Sequence, residues 1–552
     1  MPELAGVGVG RGTASGPVLR MADPLGEPDA SPLQGDAAAA KAEVGEALAF
    51  VADELGKRGE AAGGDAQAVL EAQALMAQDP SILDDVHAQI DSGVNAERAV
   101  YTAFKSFQDI LAGMGGYMGE RAADLGDVAQ RIIARLRGVS APGVPESDTP
   151  FVLVAHDLAP ADTALLDLTK VLALVTRDGG PTSHTAILAR AKGITAIVGV
   201  SEADKLSDGD VVVVDAAAGV VVTDPTAEQV ADAEQRRVER LAAASAPLTP
   251  GTLKDGTLVP LLANLGSPKD AAAAVELGAE GVGLFRTEFL FLDAPYAPDV
   301  ASQKASYKEL LEAFPGKKVV VRALDAGADK PLPFLTDKNE ENPALGRRGL
   351  RALRHHEEIL RDQLTALAQA DAETEADLWV MAPMVADLEE TVYFVDLARE
   401  LGIRTAGVMA EVPSLALMAD QVLTSADFVS IGTNDLTQYT LAADRMLGTV
   451  AAYQDPWHPA VLRLVAQLGA AGKAAGKGVG ICGEAASDPI LAVVLVGLGA
   501  TTLSMTPAAL ADVRAELLGH TLDEARAMAQ AALAAPSAAA ARAAVASVSS
   551  AS

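Results

Sequence analysis

The stretch Asp427-Phe428-Val429-Ser430-Ile431-Gly432-Thr433-Asn434-Asp435 joins an apolar run to polar residues at the point where the run ends. The run Phe428–Gly432 predicts a buried strand, and the residues after it begin the next helix. The same strand-then-helix pattern repeats from about residue 251 onwards. About eight such units in roughly 280 residues predict a (β/α)₈ barrel, whose active site lies at the carboxyl ends of the strands.

The predicted barrel strands are short apolar runs separated by helical segments. They are Leu258–Ala263, Gly281–Phe285, Val319–Leu324, Trp379–Met384, Ala406–Ala410, Phe428–Gly432, Gly478–Ile481 and Thr501–Met505.

Unusual polar residues fall at or near the ends of these strands. One such residue is more often an ion-pair or cap residue, but several at corresponding strand ends indicate a shared site. In chain order they are Arg286, Arg322, Glu411, Asn434, Asp435, Arg445 and Cys482.

This set of residues has a chemical logic. The carboxylates Glu411 and Asp435 suit a hard cation such as Mg²⁺. The three arginines suit a phosphate group, because guanidinium donors match its oxygens, and Asn434 can donate to a phosphate oxygen. Cys482 can hold a proton at neutral pH and deliver it to carbon, although a lone cysteine is more commonly a small buried hydrophobic residue.

A second stretch, Asp178-Gly179-Gly180-Pro181-Thr182-Ser183-His184-Thr185, lies between the predicted strand Val171–Val175 and a predicted helix over Thr185–Lys192. The glycines allow a tight turn, and Thr182 or Ser183 can cap the helix. His184 then lies beside backbone N–H groups that favour a phosphate and a neutral imidazole. A lone histidine here more commonly caps or packs, but the glycine turn and the hydroxyl pair favour a phosphohistidine site.

Composition limits the class of protein. A chain of 552 residues suggests several domains, and half of its residues are hydrophobic. The net charge of −32 argues against nucleic acid or anionic membrane as a partner and permits a basic protein. One cysteine, no basic leader and no long apolar run predict a cytoplasmic protein without membrane insertion.

The order of the patterns predicts an α/β domain interrupted by a helical insertion and followed by the barrel. The Ala/Ser-rich tail is expected to be a frayed helix or disordered, and no chemistry is assigned to it. The predicted divisions are 1–35 with 138–225 for the α/β domain, 36–137 for the insertion, 226–250 for a linker helix, 251–533 for the barrel and 534–552 for the tail.

From Gly6 to about Pro507 the chain resembles Enzyme I of the phosphoenolpyruvate-dependent sugar phosphotransferase system. Two long signatures carry the resemblance, Gly179–Arg190 and Asp427–Tyr439. Supporting matches are Phe285–Phe291, Asn342–Arg348 and Ile481–Glu484.

The resemblance implies a swivelling α/β phosphohistidine domain with an inserted helical domain, followed by a TIM-type barrel. It implies that phosphoenolpyruvate phosphorylates His184, that His184 passes the group to a histidine of the carrier HPr, and that Cys482 protonates the enolate to give pyruvate. Glu411 and Asp435 would ligate Mg²⁺. The residues implied to bind phosphoenolpyruvate are Arg286, Arg322, Asn434, Asp435, Arg445 and, with a less defined role, Arg348.

The resemblance also implies two protein contacts. HPr would dock on the helical insertion, where we expect carboxylates near Asp79, Asp84 and Asp85 and apolar contacts such as Leu75 and Met76. The barrel would form a homodimer.

The chain departs from the family pattern at Pro181, Ala328 and Ser487, none of which is a reacting group. The alternative enzyme is another phosphoenolpyruvate-utilising phosphotransferase, a pyruvate-phosphate dikinase or a phosphoenolpyruvate synthase, which needs a large ATP-binding domain. The segment before His184 is too short and too helical for that domain. A non-catalytic regulatory scaffold is a further alternative, and the complete set of reactive residues argues against it.

Overall fold

A computed structural model gives the structure of the chain, which divides into two compact units, residues 1–189 with 194–234 and residues 190–193 with 235–552. The described residues are 3–10, 12–22, 25–62, 64–114, 116–139, 141–145, 147–158, 166–167, 169–180, 183, 185–186, 189, 193–244, 248–292, 294, 296–326, 332, 334–335, 340–445, 447, 450 and 453–549.

The first unit contains a mixed sheet. Its strands are β1 (Glu3–Ala5), β2 (Val7–Val9), β3 (Thr13–Arg20), β4 (Phe151–Ala155), β5 (Val171–Thr176), β6 (Ala196–Val198), β7 (Val211–Asp215) and β8 (Val220–Thr223). The strand order is β1-β8-β7-β3-β4-β5-β6-β2, with β3 to β6 parallel and β7 antiparallel to β3. The β-branched run of β8 is a strand that the sequence analysis did not predict.

Helices occupy the connection between β3 and β4. They are α1 (Ala37–Ala62), α2 (Gly64–Ala77), α3 (Pro80–Asp91), α4 (Ala96–Met114) and α5 (Gly116–Arg137). Helices α2 and α3 are separated at Asp79-Pro80, where Asp79 accepts the N–H of Ser81 and Pro80 is the first residue of α3. Buried aliphatic side chains such as Val86 and Ile132 hold this bundle together.

The second unit is a closed parallel barrel, as the sequence predicts. Its strands are β9 (Leu261–Leu265), β10 (Val282–Arg286), β11 (Lys318–Arg322), β12 (Asp377–Ala382), β13 (Thr405–Ala410), β14 (Phe428–Ile431), β15 (Gly478–Ile481) and β16 (Thr502–Met505). Each strand pairs in parallel with the next, and β16 closes on β9.

Helices surround this barrel. Helix α6 (Ala227–Ala244) comes before the first barrel strand. The helices after it are α7 (Ala271–Glu276), α8 (Val300–Glu312), α9 (Leu350–His355), α10 (Glu357–Asp371), α11 (Leu388–Glu400), α12 (Pro413–Leu417), α13 (Ala419–Ser425), α14 (Thr433–Leu441), α15 (Pro459–Ala475), α16 (Pro489–Gly497), α17 (Leu510–Gly519), α18 (Leu522–Ala534) and α19 (Ala538–Ser549).

Some strand ends differ from prediction. The third barrel strand ends at Arg322 rather than at Leu324, and the first starts at Leu261 rather than Leu258, after Pro260. Proline has no N–H for a ladder, which accounts for the later start.

The tail is helical, which is one of the two expected forms, but its helix is packed and not frayed. Its described part forms α19, whose Ala541 and Val545 are buried in the barrel's hydrophobic core. Among the helices that the structure describes, none is both long enough and apolar enough to cross a membrane.

Candidate active site

The carboxyl ends of the barrel strands bring the predicted polar residues to one mouth. Arg286 is the last residue of β10 and Arg322 the last of β11, and their Cα atoms are register partners. Glu411 follows β13 and Cys482 follows β15. Asp435 lies in the first turn of α14, immediately downstream of β14. The parallel barrel therefore collects residues that are far apart in the sequence.

Arg322 is 7% exposed and lies among carboxylates. Its Nη2 donates to Glu288, and its Nη1 lies 3.1 Å from Asp325 Oδ2 and 3.5 Å from Glu411 Oε1. Its buried Nε–H has no hydrogen-bond partner among the described residues. The carboxylates hold the guanidinium in place, and the remaining donor is suited to an anionic ligand.

Arg348 comes from the loop between β11 and β12 and is buried beside the same carboxylates. Its Nη2 donates to Asp325 Oδ2 at 3.0 Å and its Nη1 to Asp435 Oδ1 at 3.1 Å. Asp325 thus bridges Arg322 and Arg348. The next residue, Gly349, has φ +56°, and a Cβ there would lie 2.7 Å from a neighbouring side chain, so this approach needs glycine.

Asn434 and Arg445 are more accessible than these two arginines. The Asn434 Oδ1 accepts the Glu484 N–H at 3.1 Å, so its amide nitrogen is the group suited to donate to a ligand. The Arg445 Nη1 lies 3.5 Å from Asp435 Oδ2, and its backbone N–H donates to Gln438 Oε1 at 2.8 Å. Both side chains therefore border the site that contains the buried Arg322 and Arg348.

A cluster of acidic groups lies beneath these residues. Asp325, Glu411 and Asp435 present oxygens that all lie within 4.8 Å of one another. Glu288 is a further buried carboxylate, and its Oε2 has no hydrogen-bond partner among the described residues. Four buried carboxylates face two buried guanidinium groups in this part of the structure, and that surplus of negative charge fits a divalent cation.

The pKa of Glu411 reflects the burial and crowding of these carboxylates. Burial, and then the charge of Asp435, raise the pKa of Glu411 well above its usual range. The backbone N–H of Met384 donates to Glu411 Oε2 at 2.9 Å, and Met384 has the left-handed φ of +55°. A Cβ at Gly432 would lie 2.7 Å from Glu411, so the backbone just after β14 also fits closely around this carboxyl.

Cys482 is 2% exposed, at the top of the barrel interior. Its Sγ–H donates to the Ile431 carbonyl at 3.5 Å. Burial raises the pKa of the Cys482 thiol to about 11, so the thiol keeps its proton at neutral pH. The apolar floor beneath it consists of Leu284, Val320, Met381, Met409 and Phe428.

His184 lies outside the described residues, as do Pro181 and Ala328. The described part of the glycine turn has the predicted form. Gly179 has φ +96°, and the Ser183 Oγ accepts the Ala186 N–H at 3.3 Å, so Ser183 provides the helix cap.

Glu288 and Asp325 are site residues that the sequence analysis missed. Both come shortly after a predicted strand, so the rule that selected Glu411 applied to them as well. Their importance lies in burial, since each is at most 6% exposed and both contact Arg322. A polar residue at the start of a loop carries no such signal in the sequence.

Comparison with protein-family models gives three matches along the chain. The model described as the PEP-utilising enzyme PEP-binding domain matches residues 241–521. The mobile domain of the same enzymes matches residues 147–219, and their N-terminal domain matches residues 5–121. The PEP-binding match contains every barrel residue of the site.

Curated relatives match almost the whole chain. A phosphoenolpyruvate-protein phosphotransferase of Streptomyces coelicolor is 55% identical over 537 residues, which are 97% of each chain. Proteins of the same name from Haloferax volcanii and Bacillus subtilis are 41% and 39% identical, over 89% and 95% of this chain and 89% and 96% of theirs.

Proposed function

The chain belongs to the phosphoenolpyruvate-protein phosphotransferases of the PEP-utilising enzyme family, and from that premise we propose that it phosphorylates its own His184 and then a histidine of HPr. Phosphoenolpyruvate-dependent phosphoryl transfer follows from the family. The acceptors, the individual steps and the roles of single residues are the proposal.

Phosphoenolpyruvate binds at the barrel mouth in this proposal. Arg286 and Arg322 end adjacent strands, so two guanidinium groups can meet the phosphate and carboxylate oxygens together. Arg445 and the amide nitrogen of Asn434 close the site from the loop side. Arg348 holds Asp435 and Asp325 in place and so acts through them.

Mg²⁺ is the cation that we propose for the acidic cluster, with Glu411 and Asp435 as protein ligands. Asp325 presents its carboxylate to the same position. A bound cation supplies positive charge to substrate oxygens and lowers the cost of placing these carboxylates together. Glu411, whose pKa is raised by burial, would bind the cation as the deprotonated carboxylate.

The reaction then needs one nucleophile and one acid. A nitrogen of His184 attacks phosphorus, the bond from phosphorus to the enolate oxygen breaks, and the enolate keeps the electron pair. Cys482 donates its proton to the enolate carbon, which gives pyruvate, and its thiolate recovers a proton from water. The raised pKa of Cys482 keeps the donor protonated until that step.

HPr docks on the helical insertion in this proposal. Leu75 is 71% exposed at the end of α2, and Asp84 is exposed on α3, which together offer an apolar contact beside negative charge. Asp85 is half-buried beside Asp84. Asp79 is the N-cap of α3, so its carboxylate stabilises the helix in addition to any contact with a partner.

The remaining expectations also stand as proposals. The α/β domain carrying His184 swivels, the barrel forms the homodimer, and the domain divisions are those given above, with α19 of the tail packed on the barrel. A single buried cysteine suits the reducing cytoplasm, where we place the protein.

The convergence of Arg286, Arg322, Asp435 and Cys482 at one barrel mouth is the observation that carries the proposal. Its test is pyruvate release from phosphoenolpyruvate, Mg²⁺ and stoichiometric HPr in the absence of nucleotide. We expect one pyruvate for each HPr that is phosphorylated. Pyruvate release that requires a nucleotide, or that leaves HPr unmodified, would contradict the proposal.

A further inference from the structure

The C-terminal helix α19 lies beyond residue 521, where the match to the PEP-binding family model ends. Its sequence is almost entirely alanine, valine and serine, with one charged side chain, Arg542. Ala541 and Val545 are buried against the barrel's core, so the neighbouring Arg542 has a fixed base. The helix therefore presents a single cation from a rigid position.

Arg542 reaches one carboxylate, that of Asp455. Its Nη1 and Nη2 donate to the two Asp455 oxygens at 2.5 and 2.9 Å, a bidentate pair. The guanidinium carbon also lies 5.4 Å from the ring centre of Trp457, which is 1% exposed. Two parallel donors and an aromatic face define the position of the guanidinium more tightly than a single surface ion pair does.

Asp455 lies between α14 and α15. Its Oδ1 also accepts the Trp457 N–H at 3.0 Å. The adjacent Gln454 donates to the carbonyl of Ala443, two residues before Arg445. We call the segment from Ala443 to Gln454, which contains Arg445, the Arg445 loop. The contact of α19 with Asp455 is therefore one residue away from the hydrogen bond that joins the two ends of this loop.

Trp457 extends the connection to the loop that follows Cys482. Its Nε1–H donates to Asp488 Oδ2 at 2.9 Å. The other Asp488 oxygen accepts the Leu491 N–H at 2.9 Å and caps α16. Hydrogen bonds thus join α19 through Asp455 and Trp457 to the loop after Cys482, and the backbone from Asp455 to Gln454 joins it to the segment after Arg445.

We propose that α19 is a positioning element for phosphoenolpyruvate binding, which it serves by holding the Arg445 loop through the Arg542–Asp455 pair. The inference rests on the proposed function, because it takes Arg445 as a phosphoenolpyruvate ligand. Arg542 itself touches no substrate. Loss of the two hydrogen bonds from Arg542 to Asp455 leaves the core of the barrel intact and widens the range of positions that Arg445 occupies. The affinity for substrate therefore falls more than the rate of the chemical step.

The test compares Arg542→Ala with Arg526→Ala in the full-length protein with Mg²⁺ and HPr. Arg526 is an exposed arginine of α18 paired with Asp523 at 3.0 Å, and it provides a surface ion pair within a single helix as the matched control. We expect Arg542→Ala to raise KM for phosphoenolpyruvate by about threefold to tenfold with little change in kcat, and Arg526→Ala to leave both unchanged. Arg542→Lys, which keeps the charge but loses the fork, should fall between wild type and Arg542→Ala.

Two results would overturn this inference while leaving the proposed function in place. If Arg542→Ala lowers Tm but leaves KM at the wild-type value, α19 contributes only stability. If Arg526→Ala raises KM equally, the effect is a general one of surface charge. A wild-type protein that transfers no phosphoryl group from phosphoenolpyruvate would contradict the proposed function itself, and this inference with it, whereas wild-type activity with an unchanged KM in the variant contradicts this inference alone.

Discussion

Arg286 and Arg322 are register partners on adjacent parallel strands, and each is the last residue of its strand. Their surroundings differ, since Arg322 is buried among Glu288, Asp325 and Glu411, whereas Arg286 is half-buried. Two neighbouring cations at an open mouth favour an anion with several oxygens, but only Arg322 also neutralises the interior.

The two arginines should therefore differ in what their loss does to the fold. Arg286→Met is expected to raise KM for phosphoenolpyruvate strongly with little effect on Tm. Arg322→Met should abolish activity and also destabilise the barrel by about 3–5 kcal/mol, because it leaves buried carboxylates uncompensated. Steady-state kinetics and denaturant unfolding check both, and equal loss of stability in the two variants would contradict this difference.

The acidic cluster predicts a requirement for a divalent cation. Asp435→Asn should lose turnover while the barrel stays folded, because the amide keeps the shape of the carboxylate but not its charge. Mg²⁺ should raise the Tm of the wild-type protein and not that of Asp435→Asn. Asp420→Asn, at an exposed carboxylate of α13, is the control. Full wild-type turnover in excess chelator would exclude the metal requirement.

The Cys482 thiol should act as an acid and not as a nucleophile. Cys482→Ala is expected to reduce pyruvate formation roughly a hundredfold, the usual scale of lost general-acid catalysis. Exchange of the phosphoryl group between HPr and His184 should be unaffected, since it makes no bond from carbon to hydrogen. Wild-type phosphorylation by phosphoenolpyruvate in the Ala variant would reduce Cys482 to a packing residue.

The raised pKa of Cys482 makes a separate pH test possible, because it is the chain's one cysteine. Alkylation of the folded protein should accelerate up to about pH 11 instead of levelling off near the ordinary thiol value. The folded state holds this proton above the pKa of about 8.5 of an unfolded thiol, so this group's contribution to stability is lost as pH rises through that window.

The proposed HPr surface can be tested by charge reversal on α3. Asp84→Lys should slow transfer to HPr and weaken the salt dependence of that step, while phosphorylation by phosphoenolpyruvate stays at the wild-type rate. Asp79→Asn removes charge but keeps a capping side chain, so it separates docking from helix stability. Asp420→Lys in the other unit is the control. An equal fall in both half-reactions would place the docking surface elsewhere.

The barrel and most of its site could be predicted because apolar runs and the polar residues that end them are local patterns. Arg286 and Glu411 were identified in this way. Glu288 and Asp325 have the same local pattern, but their burial depends on the tertiary contact that each makes with Arg322, which no spacing records.

The tail could not be predicted for a related reason. An Ala/Ser-rich segment has helical propensity, but whether it packs depends on the surface that receives it. Ala541 and Val545 find that surface on the barrel, and Arg542 finds Asp455 far away in the sequence. These are tertiary contacts, and composition alone left a frayed helix and disorder both open.

Phosphorylation of His184 by phosphoenolpyruvate is the step on which every later transfer depends. Intact-protein mass spectrometry after incubation with phosphoenolpyruvate and Mg²⁺ measures it. We predict one acid-labile, base-stable phosphoryl group on the wild-type chain and none on His184→Ala. A phosphoryl group that persists on His184→Ala, or a wild-type chain that acquires none, would contradict the account.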